Sequence, residues 1–228
     1  MDTIQIKPIA YIHNDFTAKF GIPRQSGLVE QVRSKIIFTP EFRNADALRG
    51  LEGYSHLWLI WQFSEFQREG WSPTVRPPRL GGNQRMGVFA TRSPNRPNPL
   101  GLSSVKLERI ELSSPQGPIL YVTGADLMDG TPIYDIKPYL PYTDAHPDAL
   151  GGFGFKENEG TVAVECSLDL LENIPAEKRQ GLLALLEQDP RPGYTDDPDR
   201  IFGMEFGGYE IRFRVDQKTL KVVEIQPK

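Results

Sequence analysis

At 228 residues the chain exceeds the ~150 typical of one domain, so a large domain with a small appendage is the expected organisation. With 39% hydrophobic and 25% charged residues, and with 12 Phe, 8 Tyr and 3 Trp, it is neither disordered nor collagen-like and can bury a core. One cysteine excludes an intrachain disulfide and a thiolate zinc cage and fits a reducing compartment, while a net charge of −4 argues at first against a polyanionic partner.

The opening MDTIQIKPIAYIHND has neither the basic flank and apolar core of an export signal nor a small-residue cleavage site. No apolar run approaches a membrane span, so a cytoplasmic protein that makes no use of the membrane is expected. Alternating or continuous apolar runs rich in β-branched and aromatic residues predict strands over 4–12, 35–38, 54–63, 85–91, 100–112, 119–125 and 132–136. Among them only residues 40–49 read as a helix, with Thr39 as cap, Pro40 in the first turn and Gly50 as the stop. Strands that do not alternate with crossover helices disfavour a doubly wound parallel sheet. They predict a mainly β fold whose mostly antiparallel single sheet closes into a barrel.

After a glycine-rich stretch at 150–160 the composition changes. Leu182, Leu183, Leu185 and Leu186 predict a helix over 175–188, ended by Asp189-Pro190, and strands follow at 209–215 and 220–225. The expected division is a barrel domain over 1–160 and a small α+β domain over 161–228.

Charge is unevenly distributed. Between Phe66 and Arg109 there are eight basic residues against two acids, a net of +6, which leaves −10 for the remainder. Seven of the eight are Arg, the better fork for phosphates and carboxylates.

Three loops stand out. In TRSPNRPNPLG, residues 91–101, Pro94, Pro97 and Pro99 stiffen the backbone from which Arg92, Asn95, Arg96 and Asn98 project, lowering the entropy cost of holding a ligand. Residues 124–142 hold Asp126, Asp129 and Asp135 around the Asp129-Gly130 turn. Read blandly, this is a β-hairpin; read functionally, it is a cluster of acceptors suited to a purine amine or an ammonium group, and negative enough for a sulfonium. FGIPRQSG, residues 20–27, presents Arg24 and Gln25 in a Gly/Pro loop. A long connection over 70–82 adds Trp71, Arg76 and Arg79, an aromatic and arginines suited to RNA.

There is no GxGxxG between strand and helix and no P-loop, so a nucleotide-like cofactor must bind by another route. His13, His56 and His146 are scattered, and no metal is expected.

Read together, PRQ (23–25), ADALRGLEGYSHLW (45–58), RPPRLGG, RMGVFATRSPNRPNPLGLS, DLMDGTPIYDIKPYLPY and QDPRPGY (188–194) closely resemble the TrmO family, also called TsaA-like or YaeB-like. The resemblance spans about 6–145 and resumes at 188–194. It implies a tRNA (adenine-N6)-methyltransferase with a single-sheeted barrel distinct from Rossmann methyltransferases, acting as a homodimer. It implies S-adenosylmethionine as cofactor, contacted by Pro23, Arg24, Gln25, Ser64, Glu65, Arg92, Leu102, and Leu127, Met128, Asp129 and Gly130. The substrate it implies is the adenosine 3′ of the anticodon, already carrying an N6-threonylcarbamoyl group. Asp126, Asp129 and Tyr142 are then candidates for the proton acceptor, Arg96 for the substrate carboxylate, and Trp71, Arg76, Arg79 and Arg96 for RNA contact. A catalytically silent RNA-binding barrel would explain the basic stretch but not the cofactor loops. A lipocalin-type barrel predicts no basic face.

Overall fold

The computed structural model describes residues 4–65, 70–154, 161–191 and 197–228. In chain order, β1 (Ala10–His13), β2 (Arg33–Phe38) and β3 (His56–Gln62) precede a two-stranded ribbon, β4 (Thr74–Val75) and β5 (Met86–Gly87). The long β6 (Leu100–Glu111), β7 (Ile119–Thr123) and β8 (Pro132–Pro138) follow. The ribbon apart, these strands close a barrel in the order β1-β2-β7-β6-β3-β8, with every pairing antiparallel. The period-two pattern is the cause. On β3, Leu57, Leu59 and Trp61 face inward, where they meet Ile12, Ile36, Val105, Leu120, Val122 and Ile133. Each fully buried side chain of this kind contributes roughly 1.5–3 kcal/mol.

Three local expectations fail for physical reasons. The region 40–49 is not an α-helix but successive 3-10 turns, Pro40–Phe42, Ala45–Leu48 and Leu51–Gly53. Only Leu48 is buried there, so no apolar stripe rewards an α-helix, and the Asn44 side chain captures the Asp46 amide. The strand expected at 85–91 shrinks to Met86–Gly87, because Val88–Ala90 turns to bury Val88. The Asp129-Gly130 turn is not a hairpin, since β7 and β8 are not neighbours in the barrel and the chain crosses its end between them. In addition, β1 begins only at Ala10, with Ile4 and Ile6 exposed before it.

Beyond a short helical turn, α1 (Pro141–Asp144), comes the C-terminal unit. It contains β9 (Ala163–Glu165), α2 (Leu168–Glu172), α3 (Ala176–Glu187), β10 (Phe202–Phe206), β11 (Tyr209–Asp216) and β12 (Thr219–Pro227). Its sheet runs β10-β11-β12-β9, with β9 parallel to β12. The α3, β11 and β12 expectations agree with these bounds; β9, α2 and β10 were not foreseen.

This unit does not bury its face on itself alone. Phe16, Val29 and Val32, from the loop between β1 and β2, belong to its core and not to the barrel's. Gly181 lets α3 approach that loop, since a Cβ there would lie 3.1 Å from Val32 Cγ2. Lys178 Nζ also donates to Asp15 Oδ1 at 2.7 Å. The β1–β2 loop, which carries Pro23, Arg24 and Gln25, therefore rests on the C-terminal unit. No helix among the described residues is long and apolar enough to cross a membrane.

Candidate active site

A cavity of about 730 Å³ lies where the β1–β2 loop, the end of β3, the proline-rich loop and the turn after β7 meet. Its floor is a hydrogen-bonded chain. Trp61 Nε1 donates to Ser103 Oγ at 2.9 Å, and Ser103 Oγ donates to Asp126 Oδ1 at 2.5 Å. Trp61 lies over Gly101, its partner across β3 and β6, where an added Cβ would come 2.2 Å from the indole. Burial pushes the Asp126 carboxyl above its ordinary range, opposed by the Ser103 hydrogen bond and the charge of Arg92. A carboxyl so placed can accept a proton that an ordinary surface carboxylate would hold only weakly.

One wall is built from Arg24, Gln25 and Arg92, with Arg92 Nη1 donating to Gln25 Oε1. Arg24 Nη2 in turn donates to the carbonyls of Asp189 at 3.0 Å and Arg191 at 3.1 Å, both in the C-terminal unit. On another side, Lys19 Nζ donates to the Glu65 carbonyl at 2.8 Å, tying the same loop to the chain beyond β3. Trp61 and Phe63 form a tilted aromatic pair with centroids 4.4 Å apart, both lining the cavity.

The proline-rich loop is braced from within. Arg96 Nη1 donates to the carbonyls of Thr91 and Ser93, each at 3.1 Å, and the Arg96 amide donates to Pro94 O at 2.7 Å. The turn after β7 is pinned by Asn14, whose Nδ2 donates to Leu127 O at 2.9 Å and whose amide donates to Asp129 Oδ1 at 3.0 Å.

Across the wall formed by Arg24, Gln25, Thr91, Arg92 and Pro94 lies a second, larger cavity of about 1210 Å³. Four arginines line it, Arg24, Arg76, Arg85 and Arg92, and no acid is among the described lining residues. The site thus sets a compact pocket ending in a part-buried carboxyl beside an open, positively charged one.

Comparison with known proteins identifies the family. The model of the tRNA-methyltransferase O N-terminal domain matches residues 11–145, and that of the TrmO C-terminal domain matches 161–228. The chain belongs to the TrmO family. It is 39% identical over 236 residues to the tRNA (adenine(37)-N6)-methyltransferase of Escherichia coli K12, covering 100% of both chains. A protein of Pseudomonas aeruginosa PAO1 named putative S-adenosylmethionine-dependent methyltransferase RcsF is 39% identical over 226 residues, with 96% of this chain and 95% of that one covered. The crystal structure of TrmO from Pseudomonas aeruginosa superposes with a TM-score of 0.77 at 33% identity, covering 98% of this chain and 99% of that one.

Of the eleven cofactor residues that the TrmO resemblance implies, Pro23, Arg24, Gln25, Ser64, Glu65, Arg92, Leu102 and Met128 line the smaller cavity. Leu127 does not, because its side chain is fully buried in the barrel core. Asp129 and Gly130 face β1 instead. Asp129 Oδ1 lies 3.3 Å from His13 Nδ1, and the Gly130 amide donates to Ile12 O at 2.8 Å. Among the proton-acceptor candidates only Asp126 lines the cavity; Tyr142 lines neither and is 87% exposed. Arg96 lines the smaller cavity and Arg76 the larger; Trp71 lines neither, but is half-exposed and stacks on Phe89, which lines the larger. The side chain of Arg79, Arg68 of the basic stretch and the last three residues of QDPRPGY lie outside the described residues.

Sequence reasoning did not single out Ser103, Trp61, Lys19 or Asn14. Ser103 falls within the quoted GLS, but nothing local marks a serine whose two partners come from other strands and loops. Asp144 plays a structural part: its Oδ2 accepts from the Leu140 amide at 2.9 Å and from Trp58 Nε1 at 2.8 Å, which holds its carboxyl below the usual range. Among the described residues no three His, Cys, Asp or Glu are grouped so as to hold a metal ion.

Proposed function

We propose that this chain is a tRNA (adenine-N6)-methyltransferase that uses S-adenosylmethionine to methylate N6 of the N6-threonylcarbamoyladenosine next to the anticodon. The observation that carries this reading is the aromatic-walled pocket that ends in Asp126 and shares its Arg24 and Arg92 wall with an arginine-lined cavity that has no acid among its described lining residues. Its volume of about 730 Å³ falls within the range of small-molecule sites. The aromatic faces of Trp61 and Phe63, with the carboxyl of Asp126, suit a sulfonium, and Arg24 and Gln25 suit a carboxylate and a purine edge. S-adenosylmethionine supplies an electrophilic methyl group.

The chain's own residues do the rest. The N6 nitrogen of the modified base is a poor nucleophile, because its lone pair is delocalised into ring and carbamoyl, so placement and proton removal limit the reaction. Asp126 is the group that takes the N6 proton, its carboxylate oriented by Ser103, which Trp61 orients in turn. Arg96 offers its remaining donors to the threonyl carboxylate while Nη1 braces the loop. Asp129 and Gly130 set the turn that presents Met128.

We read residues 1–160 as the catalytic barrel and 161–228 as the support of its cofactor loop. We also read the working form as a homodimer, in which a second copy covers the exposed Leu100 and Leu102 at the pocket rim. Purified protein titrated with S-adenosylmethionine should show a raised melting temperature. Incubation with tRNA should yield one added methyl on the adenosine. A melting temperature unmoved at saturating S-adenosylmethionine would instead support a silent RNA-binding barrel, and a monomer at micromolar concentration in sedimentation would reject the dimer.

A further inference from the structure

The larger cavity contains a feature that methyl transfer alone does not require. Phe89 lines it and is 74% exposed, although its neighbour Val88 is 1% exposed. The 3-10 turn Val88–Ala90 forces this contrast: burying Val88 drives Phe89 outward. Trp71, 50% exposed, lies nearly parallel to it, with ring centroids 6.1 Å apart and an interplanar angle of 24°. The pair is fixed in place. Val88 N donates to Pro73 O at 3.0 Å, β4 pairs with β5, and Ser72 N donates to Asn95 O at 3.4 Å in the loop that carries Arg92. Two large aromatic faces held in water at a rigid position lose the burial that normally stabilises such side chains.

We propose that Phe89 and Trp71 form a stacking ledge for a base flanking the methylated adenosine, with Arg85 and Arg76 on the adjoining phosphates. This rests on the tRNA reading above and adds a subsite to it. The charge of the cavity selects the occupant. Four arginines, with no acid among the described lining residues, attract a polyanion, and a flat aromatic surface beside them takes an unpaired base, the arrangement by which single-stranded RNA is held. Because this cavity shares the Arg24, Gln25 and Arg92 wall with the pocket that ends in Asp126, the ledge lies next to where the reacting base would enter.

Stacking and phosphate contact respond differently to salt, and this provides the test. Binding of tRNA to the full-length protein is measured across a salt series, with S-adenosylmethionine affinity measured in parallel. Phe89→Ala should weaken tRNA binding about tenfold at every salt concentration and leave the slope of log K against log salt unchanged, while Phe89→Tyr restores binding. Arg76→Ala with Arg85→Ala should instead flatten the slope by about two phosphate contacts. Affinity for S-adenosylmethionine should be unaltered in all three variants. If Phe89→Ala binds tRNA as the wild type does, there is no ledge. If it dissociates a dimer while leaving tRNA affinity intact, the aromatic pair is a contact between copies and the proposal fails. Absence of tRNA binding by the wild type would overturn the tRNA reading itself, a result distinct from either.

Discussion

The guanidinium of Arg24 and the main-chain carbonyl of Asp189, 165 residues apart in sequence, are joined by a 3.0 Å hydrogen bond that links the C-terminal unit to the wall of the pocket. Asp189 has φ of 46°, a left-handed conformation that non-glycine residues rarely adopt, and Arg191 secures it by donating Nε and Nη2 to the Asp189 carboxylate at 2.9 and 2.8 Å. The turn thus aims two carbonyls at one arginine. Arg191→Ala should release it and raise the Kd for S-adenosylmethionine by about tenfold, the worth of a hydrogen bond to a charged group. Arg191→Lys, which lacks the fork, should recover little. Calorimetric titration decides the matter, and wild-type affinity in Arg191→Ala would separate the C-terminal unit from cofactor binding.

The second prediction follows from Asp126. A proton acceptor must be ionised, and burial raises its pKa, so kcat should rise with pH along a limb above the ordinary carboxylate pKa of about 4. Asp126→Asn should lower kcat by roughly 10² to 10⁴ and abolish that limb. Ser103→Ala removes a hydrogen bond that favours the charged form, so its limb should move to higher pH. The raised pKa also means that the stability Asp126 contributes is full below its unfolded pKa and lost as pH rises through the folded one. Asp126→Asn should therefore match wild-type melting at low pH and exceed it above the limb. An unchanged pH profile in Asp126→Asn would assign the proton to another group.

Gly101 gives a prediction about packing. With the indole of Trp61 2.2 Å from where a Cβ would sit, Gly101→Ala must displace that ring. Forced repacking of this kind costs about 1–3 kcal/mol, and it should also break the hydrogen bond from Trp61 to Ser103. Thermal unfolding should show the loss together with reduced kcat; an unaltered melting temperature would mean that the floor of the pocket is not rigid.

Arg96 has two parts to play, and one substitution separates them. Arg96→Lys keeps the charge but loses the fork, and should reduce methyl transfer to threonylcarbamoylated tRNA by about tenfold while S-adenosylmethionine binding persists. If S-adenosylmethionine affinity falls in parallel, the bonds to Thr91 and Ser93 are its whole contribution.

The barrel was legible in the sequence because its cause is local: alternation on β1, β3 and β6 marks inward residues, and the lack of crossover helices forbids parallel pairing. The 3-10 turns of 40–53 were not legible, since the capping pattern at Thr39 and Gly50 is shared by α-helices and only burial tells them apart. At the site, Arg24, Gln25 and Arg92 could be picked out because stiff Gly/Pro loops mark them. By contrast, Ser103 and Asp126 meet only through barrel closure, and Leu127 turned inward because the turn after β7 crosses the barrel end. The support of Arg24 by Asp189 depends on tertiary packing that no periodicity records.

The central claim is methyl transfer to an already threonylcarbamoylated adenosine. Its most direct test is to incubate the wild-type protein and S-adenosylmethionine with tRNA from cells able or unable to install that group, and to identify the nucleosides by mass spectrometry. The account predicts one added methyl on the threonylcarbamoyladenosine and essentially none on unmodified adenosine. Equal methylation of both tRNAs, or of neither, would contradict it.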